Sequence, residues 1–293
     1  MAYPGVVIRV AALTATMLFA MSTAYAQQGE DLREAAQNPI ADLISVPFQN
    51  NTNFDIGRSE NTQNVLNIQP VYPAQLNQTW NLITRPILPV ISQPPLFSGR
   101  ELAALENSFG PAIGDTEFGL GDLTPEFFFS PRKPIKLGTD ASLVWGAGPA
   151  FQFPTATDDE LGSGKWSTGP GFVVFLSDES LHVTTGFLIL NLWSFAGDEA
   201  RKNVNAMTLQ PFLNYNLPKG WYLTSSPLVT ANWEADDDNR WTLPIGGGIG
   251  RIFKIGDQPI NANIAAYYNV LTPDDSGANW QLRAQWTFLF PTH

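Results

Sequence analysis

A chain of 293 residues with 27 acidic and 16 basic side chains, a formal net charge of −11, is long enough for a full domain. It is too acidic to offer the basic surface that a nucleic-acid partner needs. It has no cysteine and two histidines, His182 and His293, which excludes disulfides and thiolate chemistry. No HExxH, Gly-rich phosphate loop or EF-hand ligand series occurs, so the sequence implies no cofactor and no metal.

In chain order, residues 1–26 read as a secretory signal peptide. Arg9 precedes an apolar run from Val10 to Met21, and a small-residue site follows at Ala24-Tyr25-Ala26. The run is too short to cross a bilayer as a helix, which needs ~20 residues. Residues 27–41 form a periplasmic segment in which Asp31 to Gln37 is helix-friendly and Pro39 ends the helix. The segment either tucks its helix toward the barrel mouth or is a frayed end, and it is too short to hold a folded plug domain.

From residue 42 to 293 the chain breaks into short segments with a period of two, the strand period. Twelve strands are expected, at 42–50, 63–73, 79–91, 115–130, 141–154, 168–176, 181–195, 205–217, 221–234, 240–255, 258–270 and 280–290. The third carries Pro86 and Pro89, which donate nothing to a ladder, and the fourth and seventh are apolar on both faces. The last is the cleanest. Trp280, Leu282, Ala284, Trp286, Phe288 and Phe290 share one face, while Gln281, Arg283, Gln285 and Thr287 share the other.

Three features favour a transmembrane antiparallel β-barrel over a soluble sandwich. Most segments exceed the ~5–6 residues of a soluble strand and reach the ~9–11 that span a membrane. Trp80, Trp166, Trp193, Trp221, Trp233, Trp241, Trp280 and Tyr268 stand near segment ends, where amphipathic rings meet headgroups. The connections also alternate in length. The short set is Ala74–Gln78, Pro131–Asp140, Ser177–Ser180, Pro218–Gly220 and Gly256–Gln258. The long set is Asn51–Thr62, Ser92–Gly114, Thr155–Ser167, Gly197–Asn203, Ala235–Asn239 and Leu271–Asn279. Short periplasmic turns and long external loops are the pattern of outer-membrane barrels. Acidic clusters at Asp158–Glu160, Asp198-Glu199, Asp236–Asp238 and Asp274-Asp275 all fall in the long set. They are either ordinary solvated loops or an acidic mouth that attracts cations.

Several stretches carry a family resemblance: NPIADLISVPFQNNTNF from Asn38, NIQPVYP from Asn67, WNLITRPILP from Trp80, GLGDLTPEFF from Gly119, WGAGPAFQFP from Trp145 and QPFLNYNLPKGW from Gln210. They resemble a family of bacterial outer-membrane proteins labelled transporters or, by a misnomer, neuromedin U. That family is similar to barrels linked with the meta-cleavage pathway of phenol degradation. The resemblance implies an outer-membrane barrel and uptake of aromatic compounds; it carries no site motif. The last strand also resembles the signal read by the barrel assembly machinery, with Arg283, Phe288 and Phe290 matching and Gln285 in place of a glycine.

The inward-facing polar candidates are Tyr222, Thr230, Asn232, Asn261, Asn263, Tyr267, Gln281, Arg283 and Gln285, a set with one cation and no acid. Small residues at Gly146, Gly148 and Ala150 and at Gly246, Gly248 and Gly250 either leave room for a solute or relieve crowding in a bent wall. A channel or facilitated transporter for small, moderately apolar or aromatic solutes is expected, not an enzyme. His182, beside a short turn near Ser180, is the one barrel histidine available to a nucleophile. A surface or structural barrel without flux remains the alternative. The partners implied are outer-membrane lipid, the assembly machinery and a small-molecule solute.

Overall fold

The computed structural model describes residues 32–57, 60–95, 116–274 and 276–291. The expected signal peptide, most of loop 92–114 and His293 lie outside them. Sixteen hydrogen-bonded segments form a single sheet, and several are pieces of one interrupted strand. Joined, they make twelve strands of a closed antiparallel barrel.

Strand β1 is Ile44–Ile56, and β2 runs through Asn61–Ile68 and Tyr72–Gln75. Strand β3 is Trp80–Gln93, and β4 is built from Glu117–Leu120, Thr124–Pro131 and Ile135–Leu137. Strands β5 to β8 are Ala141–Gln152, Lys165–Asp178, Val183–Gly197 and Asn205–Asn216. Strand β9 is split into Trp221–Ser225 and Val229–Asn232. Strands β10 to β12 are Trp241–Ile255, Gln258–Leu271 and Trp280–Phe290. Each pairs with its neighbours in sequence, and β1 closes on β12 from Ile44↔Phe290 to Phe54↔Trp280. That seam places both ends of the barrel chain on the same side. Closure is what lipid demands, because an open sheet edge has no water to satisfy its backbone groups.

The alternation separates two environments. Leu213, Ile249, Ile264 and Leu282 point outward and are exposed, whereas Asn51, Asn214, Asn261, Arg283 and Thr287 point inward and are buried. Ring pairs gird both ends of the apolar band. Tyr268 meets Trp280 at 4.9 Å and Trp233 meets Trp241 at 5.4 Å at the long-loop end. Phe253 meets Trp286 at 5.8 Å and Trp80 meets Trp145 at 5.9 Å at the short-turn end.

One sequence expectation is corrected, and one that stood open is resolved. The connection after β1 is a tight turn and not a long loop, because Asn50 to Asn53 continue the strand. Their amides are satisfied side by side: Asn53 Nδ2 donates to Gln63 Oε1 at 2.7 Å, and Asn51 Oδ1 accepts from Arg283. The glycines relieve crowding. A Cβ on Gly146 would meet Phe128 at 3.2 Å and Val173 at 3.3 Å, and one on Gly250 would enter the Tyr222 ring.

The apolar residues on both faces of β4 and β7 also find their reason. Phe128, Leu188, Leu190 and Leu192 point inward and pack with Ile83, Val173 and Ile40. That side of the barrel interior is therefore largely filled by apolar side chains.

Candidate functional site

Residues 32–37 are helical, and the segment they begin enters the barrel at the short-turn end. Ile40, Ala41 and Leu43 are buried, with Ala41 and Leu43 packed on Leu289 of β12. Polar hooks hold it across the mouth. Gln37 Nε2 donates to Asn216 Oδ1 at 3.0 Å, and Gln37 Oε1 accepts from Thr184 Oγ1 at 2.8 Å. Ser142 Oγ donates to Glu34 Oε1 at 3.2 Å, and Asn261 Nδ2 to the Ala36 carbonyl at 3.4 Å. The segment holds no folded plug domain, and of the two readings of it the tucked one is what the structure shows. The apolar cluster between β4 and β7 narrows the bore, and the segment lies across part of what remains.

Above this plug lies an inner chamber of about 170 Å³. Its apolar boundary includes Leu43, Val71, Leu188 and Phe212. Facing it are Tyr222, Asn261, Asn263, Tyr267, Arg283 and Gln285, six of the nine inward candidates. Tyr222 donates to Asn261 Oδ1 at 2.6 Å, and Gln285 Nε2 to Thr287 Oγ1 at 3.1 Å.

The chamber is bounded by an inward fold of the wall. Between the two halves of β9, Ser226 to Leu228 leave the ladder. The Ser226 N–H donates to Tyr267 Oη at 3.1 Å, while Arg283 Nη1 donates to the Ser226 carbonyl at 2.6 Å. The Arg283 guanidinium also lies 4.9 Å from the centre of the Tyr267 ring. Its other donors reach Asn51 Oδ1 and Gln281 Oε1, each at 3.0 Å. From Gln281 a relay of side-chain amides runs around the inner wall. Gln281 donates to Asn53 at 2.9 Å, Asn53 to Gln63, Gln63 to Gln93, and Gln93 to the Pro94 carbonyl. Every link donates in the same direction, so each bond polarises the next.

Where β9 folds inward its neighbours lose their ladder partners. Strand β8 pairs with β9 at Leu213–Asn216 and Ala206–Leu209, and β10 at Gly248–Arg251 and Trp241–Thr242. The stretches between have no paired residue in β9. Pro211, Pro227 and Pro244 stand in this gap, and none has an N–H to leave unsatisfied.

Thr230 and Asn232 lie apart from the other candidates. They line an outer vestibule of about 770 Å³ between the long loops, together with Lys202, Glu234, Asp236 and Arg240. Signs are mixed here: Arg240 pairs with Asp237 at 2.7 Å. Among the described residues no three carboxylates or histidines converge on a metal site. Glu160, in the connection after β5, has its carboxyl pushed above the usual range, first by burial and then by Glu117 and Asp158. Asp122 pins that connection over the rim by accepting from the Ser163 N–H at 2.7 Å and the Ala156 N–H at 3.2 Å.

Sequence reasoning missed Asn51 and Asn53, although both extend the odd-numbered inward series of Ser45, Pro47 and Gln49. It also counted no acid among the inward candidates. Glu126 is inward, 3% exposed, and paired with Arg85 at 3.5 Å; Arg85 in turn donates to Gln69 at 2.8 Å. His182 gains no catalytic partner from Ser180, whose hydroxyl donates to Asp178 at 2.7 Å.

A closed sheet that is apolar outside, girdled with rings, and polar within on one side defines an outer-membrane β-barrel. No protein-family profile and no curated protein matches the chain. Among solved structures it is similar to the COG4313 outer membrane channel from Pseudomonas putida F1, at 17% identity and a TM-score of 0.62 over 86% of this chain and 97% of that one. The NanC porin aligns at 12% identity and a TM-score of 0.46, over 84% of this chain and 98% of the other. Outer membrane phospholipase A from Escherichia coli aligns at 10% and 0.46, over 90% and 98%. At these identities the likeness is one of fold.

Proposed function

We propose that the barrel is a passive outer-membrane channel for small, moderately apolar solutes, aromatic compounds among them. The observation that carries this reading is the inner chamber, which sets Leu43, Val71, Leu188 and Phe212 among Tyr222, Tyr267, Asn261, Asn263 and Arg283. A lining that mixes apolar side chains with amides, hydroxyls and Arg283 suits a solute with a ring and a polar group. The chamber, at about 170 Å³, is small for a disaccharide, and bulk ions meet a narrow bore. Entry is by the outer vestibule, where Thr230 and Asn232 stand, and passage is limited by Tyr267, Arg283, Gln281 and the inward fold at Ser226. Exit requires the plug to move or the gap at β9 to open. No chemical step is assigned. Residues 1–26 are removed on export, 27–41 form the periplasmic segment, and Trp280–Phe290 presents the aromatic alternation that the assembly machinery reads.

Proteoliposomes holding the purified barrel test this. Phenol should cross faster than in protein-free vesicles, a disaccharide should not, and Tyr267→Trp should slow phenol by narrowing the constriction. If no solute crosses faster while the barrel is shown to be folded, the channel reading fails and the surface or structural barrel replaces it.

A further inference from the structure

Two guanidinium groups border the inner chamber, and they differ in one respect. Arg85 is compensated by the Glu126 carboxylate at 3.5 Å. Arg283 is 3% exposed, and its partners are all neutral: the Asn51 and Gln281 amides, the Ser226 carbonyl and the face of Tyr267. Among the described residues no carboxylate pairs with it. A guanidinium carries five N–H bonds. Three are used in this way, which leaves two unmatched on a side chain that lines the chamber. A buried charge without a counter-charge is among the costliest groups a protein holds.

The neutral contacts explain how Arg283 is held in place and how it fastens the inward fold. They do not balance its charge. A planar fork with free N–H bonds is matched by a carboxylate. The rest of the chamber says what that carboxylate is attached to. Leu43, Val71, Leu188 and Phe212 supply apolar contacts in an otherwise largely polar lining, and about 170 Å³ is room for one ring with a small substituent. For scale, an apolar cavity of ~150 Å³ accepts benzene.

Resting on the channel reading, we infer that the chamber is a binding site for a small aromatic carboxylate. Its anionic group lies against Arg283 and its ring against the Leu188–Phe212 side. The assignment is narrower than a preference for apolar solutes, because it makes the negative charge of the ligand necessary. A neutral ring of the same size leaves Arg283 uncompensated, and a cationic one is repelled.

Calorimetry on the full-length refolded barrel, in chloride-free buffer at neutral pH, is the test. The probes are benzoate, benzyl alcohol and benzylammonium. Benzoate should bind at least about tenfold more tightly than benzyl alcohol, a ratio equal to one paired buried charge at the modest end of such effects. Benzylammonium should not bind. Arg283→Gln keeps donors for Asn51 and Ser226 and should erase the preference for benzoate. Should that variant not fold, added chloride on the wild type serves instead: it should weaken benzoate and leave benzyl alcohol unchanged. Benzoate binding no tighter than the alcohol on the folded wild type overturns the proposal, as does a benzoate preference that survives Arg283→Gln. Phenol flux measured on the same preparation separates the two readings. Flux without a benzoate preference removes the anion site and keeps the channel; neither flux nor binding removes both.

Discussion

Asn263 and Ile264 are adjacent in sequence and stand in different solvents. Asn263 lines the inner chamber, while Ile264 is 50% exposed on the outer surface. Ile264 is paired with Ala284, between the Tyr268–Trp280 ring pair above and Trp286 below. A charge placed there faces lipid at mid-depth. Ile264→Arg should therefore cost ~2–4 kcal/mol of folding free energy in bilayers, and Asn263→Arg much less. Denaturant titration in lipid vesicles measures both, and equal penalties would refute the assignment of faces. Single residues also mark the limits of sequence reading. The period of two sets a side chain's face, which is why Tyr222, Tyr267 and Arg283 were legible as inward. It does not set which residue lies opposite, so the grip of Arg283 on Ser226 was not legible. Glu126 escaped for a different reason: its strand is apolar on both faces, and parity gives no answer there.

At the scale of elements, the strands were legible within a few residues except where a local signal misled. The run Asn50-Asn51-Thr52-Asn53 has the composition of a turn. It is strand because neighbouring amides on β2 and β12 complete its hydrogen bonds. The split of β9 had only Ser225-Ser226-Pro227 to announce it, and a proline does not say which way the chain will bend. The plug was legible as a short helix with two possible fates, tucked at the mouth or frayed; the sequence did not decide between them, because docking depends on how much of the bore β4 and β7 have already filled. Gln37 makes two of its side-chain hydrogen bonds, each worth on the order of 1 kcal/mol. Gln37→Ala should lower the docked fraction, and deletion of residues 32–41 should abolish it. Single-channel recording in planar bilayers should then show a higher conductance, several-fold in the deletion. An unchanged conductance in a folded barrel would show that the segment does not limit flow.

For the whole molecule, closure is all or none. Strand β12 pairs with β1 over its full length and with β11 from Trp280 to Phe288, and without it two long edges would face hydrocarbon. Removal of Trp280–Phe290 should leave no folded species in vesicles, seen as loss of the heat-modifiable electrophoretic band; a stable eleven-stranded form would contradict this. The position of the plug has a consequence for the order of assembly. Its residues Ala41 and Leu43 rest on Leu289, so the segment before β1 docks on β12, made long after it. The stopper cannot seat until the final strand is in place. A half-built barrel thus stays uncorked, and the mouth shuts only once the wall is whole.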